Sequence, residues 1–136
     1  PEMRGGTCNC SVTISDEPIS SPLILTPTTL IVMNTPSFNR FISSVQPNGR
    51  AFIDSSLVEE KCERSDIECF YVPATQLAAD NNLKGMANII LVGKMLKETG
   101  VTSSEMIKKA MTKVIPPKKA ALLESNLKAI ELGMAQ

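Results

Sequence analysis

The chain has 136 residues, 43% hydrophobic and 21% charged, the proportions of one domain that buries roughly two-thirds of its unfolded surface. Its 14 basic and 14 acidic side chains cancel, which argues against a general nucleic-acid binder resting on a basic excess. The lack of any His removes Ser-His-Asp triads, Cys-His dyads and His-ligated metal sites together. The zero charge joins unlike halves: residues 1–83 hold 5 basic and 10 acidic groups, whereas 84–136 hold 9 Lys and 4 Glu.

Glu2-Met3-Arg4-Gly5-Gly6 sets a charged segment against two glycines. Successive glycines let backbone N–H groups approach an anion, and an Arg adds bidentate recognition of phosphate or carboxylate. A terminus followed by a turn explains the same residues. Thr7–Ser15 then alternates strictly, with Cys8, Cys10, Val12 and Ile14 on one side and polar residues on the other. Period two over nine residues predicts a strand, and it places both thiols on the apolar face as small buried hydrophobes. The remaining cysteines, Cys62 and Cys69, complete a C-x-C and C-x6-C spacing that does not fit the short pairs of a zinc site. No metal site is predicted. No signal peptide is expected, and no apolar run in these residues approaches the roughly 20 residues of a membrane helix. Free thiols in a reducing cytoplasm, away from any membrane, are the expectation.

Turns follow at Asp16-Glu17-Pro18 and Ser20-Ser21-Pro22. Leu30–Met33 is a continuous apolar run, predicted to be a strand covered on both faces. Asn34-Thr35-Pro36-Ser37 ends it, and Phe38, Phe41, Ile42 and Val45 recur at helical spacing. After a turn at Pro47-Asn48-Gly49 come two further strands, Arg50–Asp54 and Ile67–Val72. This rhythm predicts an α/β, Rossmann-like, largely parallel sheet flanked by helices. Ligands of such sheets bind beyond the carboxyl ends of the strands, here Asn34–Ser37, Asp54–Ser56 and Pro73–Thr75. Asn34 and Ser37 are therefore candidate contacts, with plain helix capping as the alternative.

From residue 75 the pattern is helical. Leu83–Glu98 is apolar nearly all round, so it is predicted to be the most buried helix, with Gly93 permitting close packing. Asn88 within it is predicted to be a buried amide bonded to a neighbouring backbone, or else a ligand contact. Gly100 reads as a C-cap and Thr102-x-x-Glu105 as a capping box. The next helix carries Met106, Ile107, Ala110, Met111 and Val114 on one stripe, and Pro116-Pro117 stops it. A last helix over 118–132 is predicted to bury Leu123, Leu127 and Ile130. Lys108, Lys109, Lys113, Lys118 and Lys119 form either a solvated face or a docking patch for an acidic subunit or carrier. No repeat or domain boundary interrupts the chain, and no carboxylate pair stands out as general acid and base.

PEMRGGTCNCSVTISDEPISSP resembles the gamma subunit, or gamma domain, of the 2-oxoacid:ferredoxin oxidoreductases, in which a G-P-E-x-R-G-G segment runs into a strand ending I-S-D-x-x-I. The likeness continues through LIVMNTPSFNRF with its N-x-P-S strand end, through VPATQLAADN and KGMANIILVGKMLKETG, and through the closing PKKAALLESNLKAIELG from Pro117 to Gly133. Within the family, Glu2–Thr7 and Asn9-Cys10 look nearer the 2-oxoglutarate and branched-chain subgroup than the pyruvate subgroup. Family members open with a strand, a G-x-G-G-Q-G loop and a helix. This chain starts after that unit, so residues 1–136 are expected to be a single gamma domain lacking it, prone to self-association through exposed apolar surface.

The resemblance implies a part of a multi-subunit enzyme that oxidatively decarboxylates a 2-oxoacid to its acyl-CoA and reduces ferredoxin or flavodoxin. Thiamine diphosphate, Mg2+, coenzyme A and iron–sulfur clusters serve the complex, and none is expected to be bound by this chain alone. Alpha and beta thiamine-binding subunits and a ferredoxin-like subunit or carrier are the implied partners. Glu2, Arg4, Gly5 and Gly6 would contact anionic substrate or coenzyme groups at the subunit interface, with Asn34, Ser37 and Asn88 as further contacts. A stand-alone nucleotide- or coenzyme A-binding domain is the alternative, and a thiol-based metal or redox module a more distant one.

Overall fold

The computed structural model describes residues 8–21 and 23–136. Strand β1 (Thr29–Val32) leads through helix α1 (Thr35–Phe41) and a 3-10 turn at Ile42–Ser44 to β2 (Arg50–Asp54). An irregular segment connects β2 to β3 (Glu68–Val72), and helices α2 (Ala74–Asp80), α3 (Ala87–Thr99), α4 (Ser104–Val114) and α5 (Ala120–Met134) follow. The strands form one sheet in the order β1-β2-β3, parallel throughout. The α/β class and helical C-terminal third are as the sequence predicts.

Side-chain alternation divides the core into two layers. On one face Val32, Ala51 and Ile53 pack with Phe38 of α1 and with Val58 of the β2–β3 connection. On the other, Phe52 and Val72 meet α2, α3 and α5 through Ala74, Ala78, Ile90, Leu91 and Ala129. Phe52 and Phe70 stack there with centroids 5.0 Å apart, and β2, flanked by strands and covered on both faces, is the most deeply buried strand.

The α3–α5 contact depends on two glycines. A Cβ on Gly93 would overlap the Ile130 backbone, and one on Gly133 would overlap the Ile90 carbonyl and lie 3.0 Å from the Lys94 nitrogen. The two helices therefore meet backbone to backbone, and the close-packing role predicted for Gly93 holds.

Several expectations need correction. Residues 8–15 form no strand, and Cys8, Cys10, Val12 and Ile14 are all exposed. Alternation supplies an apolar face but no hydrogen-bonding partner, and the sheet does not extend to this segment. Ile31 of β1 is 36% exposed, so this edge strand is covered fully on one face only. Helix α3 begins at Ala87 rather than Leu83, because Asn82 and Gly85 adopt positive φ of 56° and 79° and break the helical path. Ser103, not Thr102, caps α4 by accepting from the Met106 N–H. The apolar stripe of α4 is largely uncovered: Ile107 is buried, but Met106 and Val114 face solvent. Gly100 does cap α3 in the left-handed conformation. In α5 Ile130 is buried, while Leu123 and Leu127 are half-buried.

Candidate functional site

The carboxyl ends of the parallel strands converge on a polar crest. At the end of β2, Asp54 is fully buried. One carboxylate oxygen accepts from the Ser56 N–H at 3.1 Å, and the other from the Thr75 hydroxyl at 2.6 Å and the Thr75 N–H at 3.2 Å. A buried carboxyl group requires such partners. Ser56 extends the arrangement, its hydroxyl accepting from the Gln76 N–H at 3.1 Å. Asp54 thus ties the β2 end to the first turn of α2. The sequence marks these positions as strand ends, but assigning the role requires knowing that β2 and β3 are neighbours.

Beyond β1, Asn34 caps α1: its side-chain oxygen accepts from the Ser37 N–H at 2.8 Å, and Ser37 is buried. Helix capping accounts for the Asn-Thr-Pro-Ser sequence, with Pro36 in the first turn. Thr35 reaches outward and donates to Glu60 Oε2 at 2.9 Å. A cleft of about 510 Å3 opens here, lined by Thr35, Ser56, Leu57, Glu59 and Glu60. Its rim is the β2–β3 connection.

That connection is anchored by Arg64. One guanidinium nitrogen donates to the carbonyls of Ile42 at 3.0 Å and Val45 at 2.7 Å, closing the 3-10 turn after α1. The other nitrogens grip Asp66 at 2.9 and 2.7 Å. Hydrogen bonding to Arg64 holds the Asp66 carboxyl below its ordinary range, and the same contact raises the Arg64 guanidinium. Tyr71 of β3 accepts from the Cys62 N–H at 2.7 Å while Lys61 lies 3.9 Å from the centre of its ring. Burial raises the Tyr71 phenol. Neither Arg64 nor Asp54 stands out in the sequence as a site residue; an Asp closing an otherwise apolar strand is the one available signal.

Other candidates are dispersed. Asn88 is exposed in the first turn of α3, so it is not the buried amide that the apolar surroundings predict; it falls on the helix's outer side. Glu2, Arg4, Gly5 and Gly6 lie outside the described residues.

The donor set of the cleft does not fit a diphosphate. Glu59 and Glu60 present carboxylates, and the amides of Ser37, Ser56 and Thr75 are already engaged. Among the described residues no three His, Cys, Asp or Glu side chains are grouped to hold a metal ion, and no helix is long and apolar enough to cross a membrane. The crest can orient elements and present carboxylates to a ligand; its hydroxyl–carboxylate pairs, Thr75 with Asp54 and Thr35 with Glu60, each join one element to another.

Residues 1–136 match the family model described as pyruvate ferredoxin/flavodoxin oxidoreductase. The chain is 30% identical over 135 residues to the 2-oxoglutarate synthase subunit KorC of Methanocaldococcus jannaschii, covering 98% of this chain and 71% of that protein. It is 31% identical to the ketoisovalerate oxidoreductase subunit VorA of Methanothermobacter thermautotrophicus, with 98% of this chain matching 28% of that one. Among solved structures, the keto/oxoacid ferredoxin oxidoreductase gamma subunit from Geobacter sulfurreducens superposes with a TM-score of 0.67 at 25% identity. That match covers 78% of this chain and 61% of the Geobacter chain, so the present chain spans less than two-thirds of the structural relative.

Proposed function

The chain belongs to the pyruvate ferredoxin/flavodoxin oxidoreductase family, and from that premise we propose that it acts as the gamma component of an enzyme that oxidatively decarboxylates a 2-oxoacid to its acyl-CoA and reduces ferredoxin. The observation carrying this reading is the family match across residues 1–136, joined to the fold shared with a gamma subunit. Thiamine diphosphate with its Mg2+ and the iron–sulfur clusters would reside on the partner subunits, in keeping with a crest of carboxylates and capped amides. The chain would act as an architectural partner, and its cleft would help shape the path to the chemistry.

The proposed substrate is 2-oxoglutarate, supported by the likeness to KorC. The comparable likeness to VorA favours a branched-chain 2-oxoacid as the second reading. Arg4, with Glu2 and the Gly5 and Gly6 backbone, would meet the anionic groups of oxoacid or coenzyme A at the subunit interface. The lysines of α4 and of the turn before α5 would dock an acidic subunit or carrier.

Affinity purification of the tagged gene product from its native host tests the assignment. Thiamine-binding subunits should co-purify, with viologen reduction dependent on both coenzyme A and 2-oxoglutarate. Activity with 2-oxoisovalerate instead would select the second reading, and recovery of the chain without such partners or activity would refute both. Replacing Arg4→Met in that complex should raise the apparent KM for coenzyme A or oxoacid several-fold; unchanged kinetics would remove Arg4 from the interface.

A further inference from the structure

Cys62 and Cys69 lie on the sheet face opposite α3 and α5, both half-buried against the Val32, Phe38 and Ile53 layer. Cys69 is in β3 and shares a face with Tyr71, two residues on. Cys62 is in the β2–β3 connection, with its N–H bonded to the Tyr71 hydroxyl at 2.7 Å. That bond brings Cys62 back over β3, so both thiols pack against the same small layer. The connection has no helix or strand of its own, so closing a bond there breaks no regular element.

We propose that Cys62 and Cys69 form a peroxide-driven intramolecular disulfide that staples the rim of the strand-end cleft to β3. In the first step the Cys62 sulfur attacks a peroxide oxygen; the O–O bond breaks, and a sulfenic acid and water result. In the second step the Cys69 sulfur attacks the sulfenic sulfur; the S–S bond forms, the S–O bond breaks and a second water leaves. Two thiols lose two protons and two electrons, and hydrogen peroxide is reduced to two waters.

The order follows from the surroundings. Burial, with the hydrogen bond to Cys62 as a second cause, pushes the Cys69 thiol up to about 12. A thiol so reluctant to ionise is a poor first nucleophile towards peroxide. It nonetheless packs against the same layer as whatever forms on Cys62, where proximity favours resolution. The Arg64 guanidinium lies within electrostatic reach of both sulfurs. The closed ring, residues 62–69, contains Arg64 and Asp66 and begins two residues after Glu60, the partner of Thr35 on the cleft wall. Oxidation therefore fixes the segment that lines the cleft.

The full chain, treated with hydrogen peroxide under native conditions, alkylated, unfolded and digested with trypsin, reads the outcome directly. Cleavage after Lys61, Arg64 and Lys84 separates the two cysteines, so a disulfide joins peptides 62–64 and 65–84 with the loss of two hydrogens. The joined species should be the main oxidised product. In the Cys69→Ala variant it should vanish and be replaced by a dimedone adduct on Cys62, whereas Cys8→Ser/Cys10→Ser should leave it intact. Native trypsin cleavage at Lys61 should slow at least severalfold on oxidation and recover with dithiothreitol. Separate oxidation of the two cysteines to sulfinic acids, or joining of Cys62 to Cys8 or Cys10, would overturn the pairing. Unchanged native cleavage of the joined species would overturn the stapling.

Discussion

Helix α5 receives two neighbours in very different ways. Against α3 it offers Gly133, and α3 answers with Gly93, so that each backbone lies on the other and nothing larger than hydrogen fits. Against α4 it leaves a cleft of about 420 Å3, whose lining includes Ile107, Leu127, Ile130 and Met134, while Met106 and Val114 of α4 remain in solvent. Yet α4 has the cleaner amphipathic pattern, with its lysines set apart from the apolar stripe. Periodicity establishes which side of a helix can be buried; small residues at the crossing establish how closely it is buried. The tight half of the comparison stabilises the domain, and the loose half leaves apolar surface rimmed by charge, as interaction surfaces do.

Breaking the tight contact should have the largest effect. Gly133→Val pushes the side chain into the Ile90 carbonyl, so α3 and α5 must separate, with a loss of about 3 kcal/mol or more in urea unfolding. A loss below about 1 kcal/mol would mean that the helices slide apart freely. Next comes Asp54→Ala, which takes the shared acceptor from the part-buried Ser56 and Thr75 N–H groups. Unfolding should report about 2–3 kcal/mol, with Thr75→Ala costing less because a hydroxyl can be replaced by water.

Acid should act more gently. The Lys94 ammonium, 2.6 Å from Glu98, holds that carboxyl below its ordinary range, as Arg64 does for Asp66. Both carboxylates bind protons less readily folded than unfolded, so their contributions are present above the unfolded values and fade as pH falls through the lowered ones. Stability should hold between pH 7 and about 5 and decline below roughly pH 4. The Glu98→Gln/Asp66→Asn variant should show a shallower decline, and an identical acid profile would separate these pairs from the effect. On the loose side, Met106→Ser and Val114→Ser should change unfolding by no more than about 0.5 kcal/mol. Charge reversal of Lys108, Lys109 and Lys113 should likewise spare folding but weaken assembly with partner subunits, most clearly at low salt.

The legible parts of the fold were those fixed by local pattern. The apolar runs at Leu30–Met33, Arg50–Asp54 and Ile67–Val72 mark the three parallel strands of the sheet to within a residue, although only β2 is covered on both faces. The strand-end rule points to Thr35 and Ser56 of the cleft wall but not to Leu57, Glu59 and Glu60. Partnership was harder to read. Cys8 to Ile14 carries a flawless period-two pattern and pairs with nothing among the described residues, because alternation does not specify an edge. Asn88 sits just ahead of the apolar stretch Ile89–Val92 yet faces out, since a single polar residue is accommodated by helix rotation. Asp54, Thr75 and Arg64 act across 19 to 22 residues of chain, separations at which only the folded topology brings donors and acceptors together.

The proposed role as gamma component of a 2-oxoacid oxidoreductase is tested most directly by reconstitution. The thiamine-binding and cluster-bearing subunits co-purified from the native host, prepared with and without this chain, are assayed for 2-oxoacid- and coenzyme A-dependent reduction of ferredoxin. The account predicts an activity that collapses when the chain is omitted and returns, at a fixed subunit ratio, when the purified chain is added back. Full activity in its absence, or no binding on re-addition, would contradict it.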